Sequence, residues 1–259
     1  MDLGIAGKSA IVCASSKGLG KACAIALAQA GCDVVINGRD AKSLATAAEE
    51  IARIAKGKVT QVACDVGTQA GRDALLAACP APDILVNNNG GPPPKPFRAI
   101  GRDDILAGIE ANMIAPVALI QAVLDGMIAR KFGRIVNITS ATVRAPVTGL
   151  DVSSGARAGL TAFLASIARE AAKANVTVNS VQPGMFDTDR LRGTTGRMAE
   201  IEKISVAAMR ERRVASVPSR RFGEASELGN LVAFLASGHA GFITGQNILI
   251  DGGQFPGAF

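Results

Sequence analysis

The chain has 259 residues, 48% of them apolar, 19% charged and 3% aromatic, with 28 Lys and Arg against 22 Asp and Glu for a net charge of +6. A chain this long and this apolar buries a full core, which excludes intrinsic disorder and small disulfide scaffolds, and so modest a surplus of charge favours small anionic ligands over nucleic acid. There is no Tyr, no Trp and a single His, so chemistry that needs a tyrosine phenol or a polyhistidine metal site is excluded before any motif is read.

The first residues, Met1-Asp2-Leu3-Gly4, lack a basic start followed by an apolar stretch, and no run reaches about 18 apolar residues. Neither export nor membrane spanning is expected, and the cytoplasm is the expected compartment. Cys13, Cys23, Cys32, Cys64 and Cys79 show no C-x-x-C spacing and read as buried free thiols in a reducing environment. Strand-like runs at 9–14, 33–37, 59–63, 84–87, 134–138, 176–182 and 247–250 alternate with amphipathic stretches at 21–30, 41–54, 69–78, 117–129, 155–174 and 227–236. That alternation predicts one α/β domain over 1–259, a Rossmann-type doubly wound parallel sheet of about seven strands.

Two segments break the rhythm. Gly90-Gly91-Pro92-Pro93-Pro94-Lys95-Pro96 reads as a stiff loop after the fourth strand. Residues 185–222 hold nine Lys or Arg and five Asp or Glu, most of the chain's surplus. Both leave the carboxyl edge of the sheet, where open α/β sheets bind ligands, so the second is expected to form a substrate lid.

After the first strand, Cys13-Ala14-Ser15-Ser16-Lys17-Gly18-Leu19-Gly20 opens the first helix. Such a turn brings backbone N–H groups and a helix N-terminus against a pyrophosphate, with residues Ser15 to Gly20 as the candidate contacts. The second strand ends Asn37-Gly38-Arg39-Asp40. An acidic residue after the strand would bind a ribose diol, whereas a small residue followed by Arg suits a 2′-phosphate. Arg39 and Lys17 therefore point to NADP(H) over NAD(H).

Further on stand Cys64-Asp65-Val66, Asn87-Asn88-Asn89-Gly90, Asn112, Asn137-Ile138-Thr139-Ser140, Pro183-Gly184 with Thr188, and Ile243-Thr244-Gly245-Gln246 before Asp251-Gly252-Gly253. In this order the motifs closely resemble the short-chain dehydrogenase/reductase family, in particular its 3-oxoacyl-carrier-protein reductase-like branch, over essentially the whole chain. The resemblance implies Asp65 and Val66 at the adenine, Asn88 and Gly90 along the adenosine, and Pro183, Gly184 and Thr188 at the nicotinamide. The family pattern has Thr and Gly at Cys13 and Ala14, and Ala at Asn89.

That family works with an Asn, a Ser, and a Tyr and Lys spaced Y-x-x-x-K. Asn112 and Ser140 fall at the first two positions; counting 13 residues on from Ser140 reaches Ser153, and four more reach Arg157. The catalytic Tyr and Lys are thus substituted. Ser140, Ser153, Arg157 and Asn112 are the candidate catalytic residues, with Arg157 also able to hold ribose hydroxyls, and no metal is expected. The reading is an NADP(H)-dependent oxidoreductase acting on a ketone or secondary alcohol, with a 3-oxoacyl thioester carried on CoA or acyl carrier protein as one candidate substrate. The alternative is a cofactor-binding homologue that senses NADP(H) or supports a partner without turnover. The resemblance also implies a homotetramer, for which 147–165 and 242–250 carry surplus apolar side chains.

Overall fold

The computed structural model describes residues 1–257. Its strands are β1 (Ser9–Val12), β2 (Asp33–Gly38), β3 (Val59–Ala63), β4 (Ile84–Asn87), β5 (Gly133–Ile138), β6 (Val176–Pro183) and β7 (Asn247–Ile250). They form one parallel sheet in the order β3-β2-β1-β4-β5-β6-β7. Because the first half winds outward from β1 to β3 and the second from β4 to β7, the direction reverses between β1 and β4. A crevice opens at such a reversal, beyond the carboxyl ends of the strands. The strand-like runs read from the sequence are all present; β1 stops two residues earlier, at Val12, because Ala14 takes a positive φ.

Buried parallel strands need apolar residues on both faces, and β1, β4 and β5 supply them. One face is covered by α1 (Gly18–Gln29), α2 (Ala41–Ala52) and α10 (Ala225–Ala236), whose Leu27, Leu44, Ile51, Leu228 and Val232 share a core with Val12, Ile36 and Val86. The other is covered by α3 (Gln69–Ala78), α5 (Ala115–Ala129), α6 (Asp151–Phe163) and α7 (Ala165–Ala172), through Leu75, Leu119, Met127 and Leu160 against Ile11, Leu85 and Ile135. The stretch read as one helix over 155–174 is interrupted at Leu164.

The sequence reading missed α4 (Arg102–Ile109), whose polar, weakly periodic residues follow the proline loop. A five-residue π-helix (Glu110–Ile114) joins it to α5, so Arg102–Ala129 is a continuous helical stretch of 28 residues. By length and mean composition it is long and apolar enough to cross a membrane, a test that the core helix of a sheet protein also passes. Here it lies on the sheet, with Leu119, Ile120, Val123 and Met127 in the core. Residues 185–222 contain α8 (Asp189–Glu202) and α9 (Val206–Ala215).

α1 and α10 meet backbone to backbone at Gly229. A Cβ at Gly229 would lie 2.5 Å from the Ala22 carbonyl oxygen, so the helices can approach this closely only over a glycine. Gly229→Ala should therefore cost about 1–3 kcal/mol, measured by denaturant unfolding; an unchanged transition would contradict the close contact.

Candidate functional site

Between β1 and α1 the chain turns through Ala14, whose φ of 46° is left-handed and costs an L-residue roughly 1–2 kcal/mol. Two asparagines hold it there. Asn37 Oδ1 accepts from the Ala14 N–H at 2.9 Å, and Asn88 Nδ2 donates to the Ala14 carbonyl at 3.2 Å. Asn37 is buried and also donates to the Cys64 carbonyl at 2.8 Å, so one side chain joins the ends of β1, β2 and β3. Ser15 is committed inward: its hydroxyl donates to Val12 O at 2.6 Å and accepts from Asn37 N at 2.9 Å.

Gly20 is required by space, since a Cβ there would lie 2.3 Å from Ala14 O and 2.8 Å from Asn88 Nδ2. Gly18 is required by conformation, with φ 55°. α1 then begins at Lys17 with no side-chain cap and no acidic residue in its first turn, whereas Asp40, Thr68, Thr188 and Ser205 cap α2, α3, α8 and α9. Its first N–H groups and the positive end of its dipole are left for an anion. Thr188 brings its Cγ2 within 3.6 Å of the Cβ position of Gly18, which places the start of α8 over this turn. Leu19 packs against the core below.

At the end of β2, a Cβ on Gly38 would meet Ser16 Oγ at 2.9 Å, so the two loops pack directly. Beside them Arg39 is 80% exposed, its only carboxylate neighbour among the described residues being Asp65 at 3.9 Å; Lys17 is exposed as well. Asp65 caps its own turn by accepting from Gly67 N at 2.9 Å. The Val66 side chain is buried in the second core layer. Gly90 faces open space. Pro183 and Gly184 extend β6 against β7, with Gly184 N donating to Ile250 O at 2.9 Å. This cradle fits a dinucleotide phosphate: bare helix N–H groups, glycines where side chains cannot go, and two exposed cations, Lys17 at the start of α1 and Arg39 just past the end of β2.

Asn112 sits in the π-helix, an irregularity that frees carbonyls from the helical ladder and recurs at functional sites. Its Nδ2 donates to Gly108 O at 3.3 Å, while its Oδ1 and that of Asn87 have no donor among the described residues. Both line a cavity of about 20 Å³ together with Asn89, Asn137 and Arg157, a volume that holds one water molecule. Asn89 Nδ2 donates to Ala111 O within the π-helix at 3.1 Å.

Arg157 is buried and reaches three partners. Its Nη1 donates to Ile138 O at 2.9 Å, its Nη2 to Asn89 O at 3.1 Å and its Nε to Ser153 Oγ at 3.3 Å. It thus joins the ends of β4 and β5 and orients Ser153, with two N–H groups left for a ligand. Burial, with Arg190 nearby, pulls its pKa down to about 10. Ser140 Oγ accepts from Thr142 N at 3.1 Å and Thr142 Oγ1 at 2.9 Å, so its own proton is free to be donated.

The structure adds three residues that the sequence reading did not assign: Asn37, Asn89 and Arg190. Asn37 was visible as a polar residue in an apolar strand, and Asn89 as a departure from the family pattern. Nothing local singled out Arg190. Its guanidinium reaches the proline loop from α8: a Cβ on Gly91 would lie 2.9 Å from Arg190 Nη2 and 3.0 Å from Ser153 Oγ. Among the described residues no group of three or more His, Cys, Asp or Glu is placed to hold a metal ion. His239 is exposed near the N-terminus, its Nε2 2.7 Å from Asp2 O.

Ala14→Gly removes the left-handed strain at the cost of a more flexible unfolded chain. The variant should gain up to about 1 kcal/mol, raising the melting temperature by about 2–4 °C; a lower melting temperature would contradict the strain at this turn.

A family model described as enoyl-(acyl carrier protein) reductase matches residues 13–254. The chain is 32% identical over 252 residues to the NADPH-dependent reductase BacG of Bacillus subtilis, covering 95% of this chain and 97% of that one. It is also 32% identical over 259 residues to the 3-oxoacyl-[acyl-carrier-protein] reductase FabG of Aquifex aeolicus, covering 98% and 100%. The L-sorbose reductase of Gluconobacter frateurii, solved with NADPH and L-sorbose, superposes with a TM-score of 0.93 at 29% identity, covering 99% of this chain and all of that one. With the strand order, the glycine turn and the motif series in register along the whole sheet edge, the chain belongs to the short-chain dehydrogenase/reductase family.

Proposed function

We propose that this protein is an NADP(H)-dependent carbonyl reductase that works without a tyrosine acid. The observation that carries the cofactor assignment is the pair of exposed cations, Arg39 and Lys17, beside the uncapped start of α1. Relatives named as NADPH-dependent, or solved with NADPH, support it. Ser16, Gly18, Leu19 and Gly20 would line the pyrophosphate, with Ser15 supporting them from below. Arg39 and Lys17 would hold the 2′-phosphate, and Asp65, Val66, Asn88 and Gly90 would frame the adenosine. Pro183, Gly184 and Thr188 would frame the nicotinamide, next to Arg157.

When bound, NADPH supplies a hydride to the carbonyl carbon of a ketone, and the reverse reaction takes one from a secondary alcohol. The protein must then stabilise negative charge on the carbonyl oxygen. Ser140 and Ser153 each keep a hydroxyl proton to donate to that oxygen, and Arg157 sets the orientation of Ser153 while placing a positive charge behind it. Neither serine is acidic enough to give up its proton, so the proton comes from water admitted along Asn112. Replacing a general acid by hydrogen-bond donors forfeits roughly 10²–10⁴ in rate, or about 3–5 kcal/mol of barrier. A slow reductase is therefore expected.

Helices α8 and α9 would cover the substrate. Similarity to FabG makes 3-oxoacyl thioesters on CoA or acyl carrier protein the first substrates to assay, the basic 185–222 segment offering a field for a phosphate-bearing carrier. A homotetramer fits the exposure of Val147, Phe163 and Phe242.

The test is NADPH oxidation across a panel of ketones and acyl thioesters, with Arg39→Ala alongside the natural chain. Loss of one charge-assisted phosphate contact should raise the KM for NADPH by about 10–100-fold and leave that for NADH within a few fold. Equal effects on both cofactors would refute the 2′-phosphate seat, and background rates across the panel with cofactor bound would refute turnover.

A further inference from the structure

Resting on the reading of the cleft as a carbonyl reductase, the geometry points to Arg190 as an anion-binding residue: we propose that the substrate is an oxo acid whose own carboxylate is gripped beside Ser153. A serine side chain ends far short of where a tyrosine at the same position would reach. The Arg190 guanidinium comes into that region from α8, lying about as close to the Cβ position of Gly91 as Ser153 Oγ does.

The charge balance says what this guanidinium is for. In the same segment Arg192 pairs with Asp187 and Asp189, Arg210 with Asp187, Arg212 with Glu202 and Arg221 with Glu227. Arg213 donates to the Thr194 and Thr195 hydroxyls. Arg190 has no carboxylate and no hydrogen-bond acceptor among the described residues. The charges that act on it are cationic: its own charge and that of Arg157 behind Ser153 repel each other, and Arg197, seven residues along α8, adds to the repulsion. With Asp187, Asp189 and Glu202 held by other arginines and no carboxylate among the described residues within ion-pair distance of Arg190, the two guanidiniums beside Ser153 leave a positive field suited to an incoming anion.

A carboxylate is the group a planar guanidinium holds best, by two parallel N–H···O bonds. Held there, it would fix the ketone next to it against Ser140 and Ser153. A thioester is neutral at the same distance from the ketone and offers Arg190 no charge. The class is therefore a free oxo acid, with the carboxylate a few bonds from the reacting carbonyl.

The experiment is calorimetry on the full chain saturated with NADP⁺, titrating 2-oxobutanoate and 3-oxobutanoate, each beside its methyl ester. At least one acid should bind about tenfold or more tightly than its ester. Arg190→Gln should erase that difference, and Arg190→Lys should retain part of it. Equal affinity of acid and ester, no heat for either acid, or a preference that survives Arg190→Gln overturns the proposal. Should Arg190→Gln not fold, the comparison in the natural chain and in Arg190→Lys decides. Failure of NADP⁺ itself to bind would overturn the reductase reading instead, and the same titration without cofactor would then test the anion seat by itself.

Discussion

The amide of Asn37 is the contact on which the cofactor end depends. Buried in β2, it spends one end on the Ala14 N–H and the other on the Cys64 carbonyl, locking three strand ends into one surface at the point where the sheet reverses. Only with Ala14 so held can the turn bring α1 up with its first N–H groups bare, and only then does the start of α8 come down on Gly18. An apolar side chain at Asn37 would leave two buried main-chain groups without partners, which costs more than the hydrogen bonds themselves contribute. The strain at Ala14 is paid at this clasp.

The chemical end is organised by a second polar network, and its unusual residues support one another. Arg157 can sit buried because two main-chain carbonyls and Ser153 accept its N–H groups. One of those carbonyls belongs to Asn89, whose side chain in turn satisfies a carbonyl of the π-helix carrying Asn112. A lysine, with a single terminal nitrogen, could not span the ends of β4 and β5 in this way. Residues 89, 153 and 157 therefore form one connected arrangement, which on the proposed reading would shift the burden of the reaction from proton donation to fixed positive charge.

Much of this was legible in the sequence because it is written in local patterns. Buried parallel strands must be apolar, and turns at strand ends must be small, so β1 to β7, the Gly18 and Gly20 turn and the Gly38-Arg39 pair could be read directly. Ser153 and Arg157 were reached by counting on from Ser140 at the interval of the family that the motifs resemble. What escaped depends on contacts distant in sequence. α4 is polar and follows a proline loop, so neither periodicity nor composition marked it. Asn37 gains its role only when the ends of β1 and β3 arrive beside it. Arg190 lies among nine similar basic residues in 185–222 and is distinguished only by having Gly91 and Ser153, far away in the chain, as neighbours.

The account rests on a phosphorylated dinucleotide seated at the start of α1 with its extra charge between Lys17 and Arg39. Direct calorimetric titration of the purified chain with NADPH and with NADH tests this independently of any substrate. NADPH should bind at least about tenfold more tightly, and rising salt should narrow the gap as the phosphate contacts are screened. Equal affinities, or no heat with either coenzyme, would contradict it.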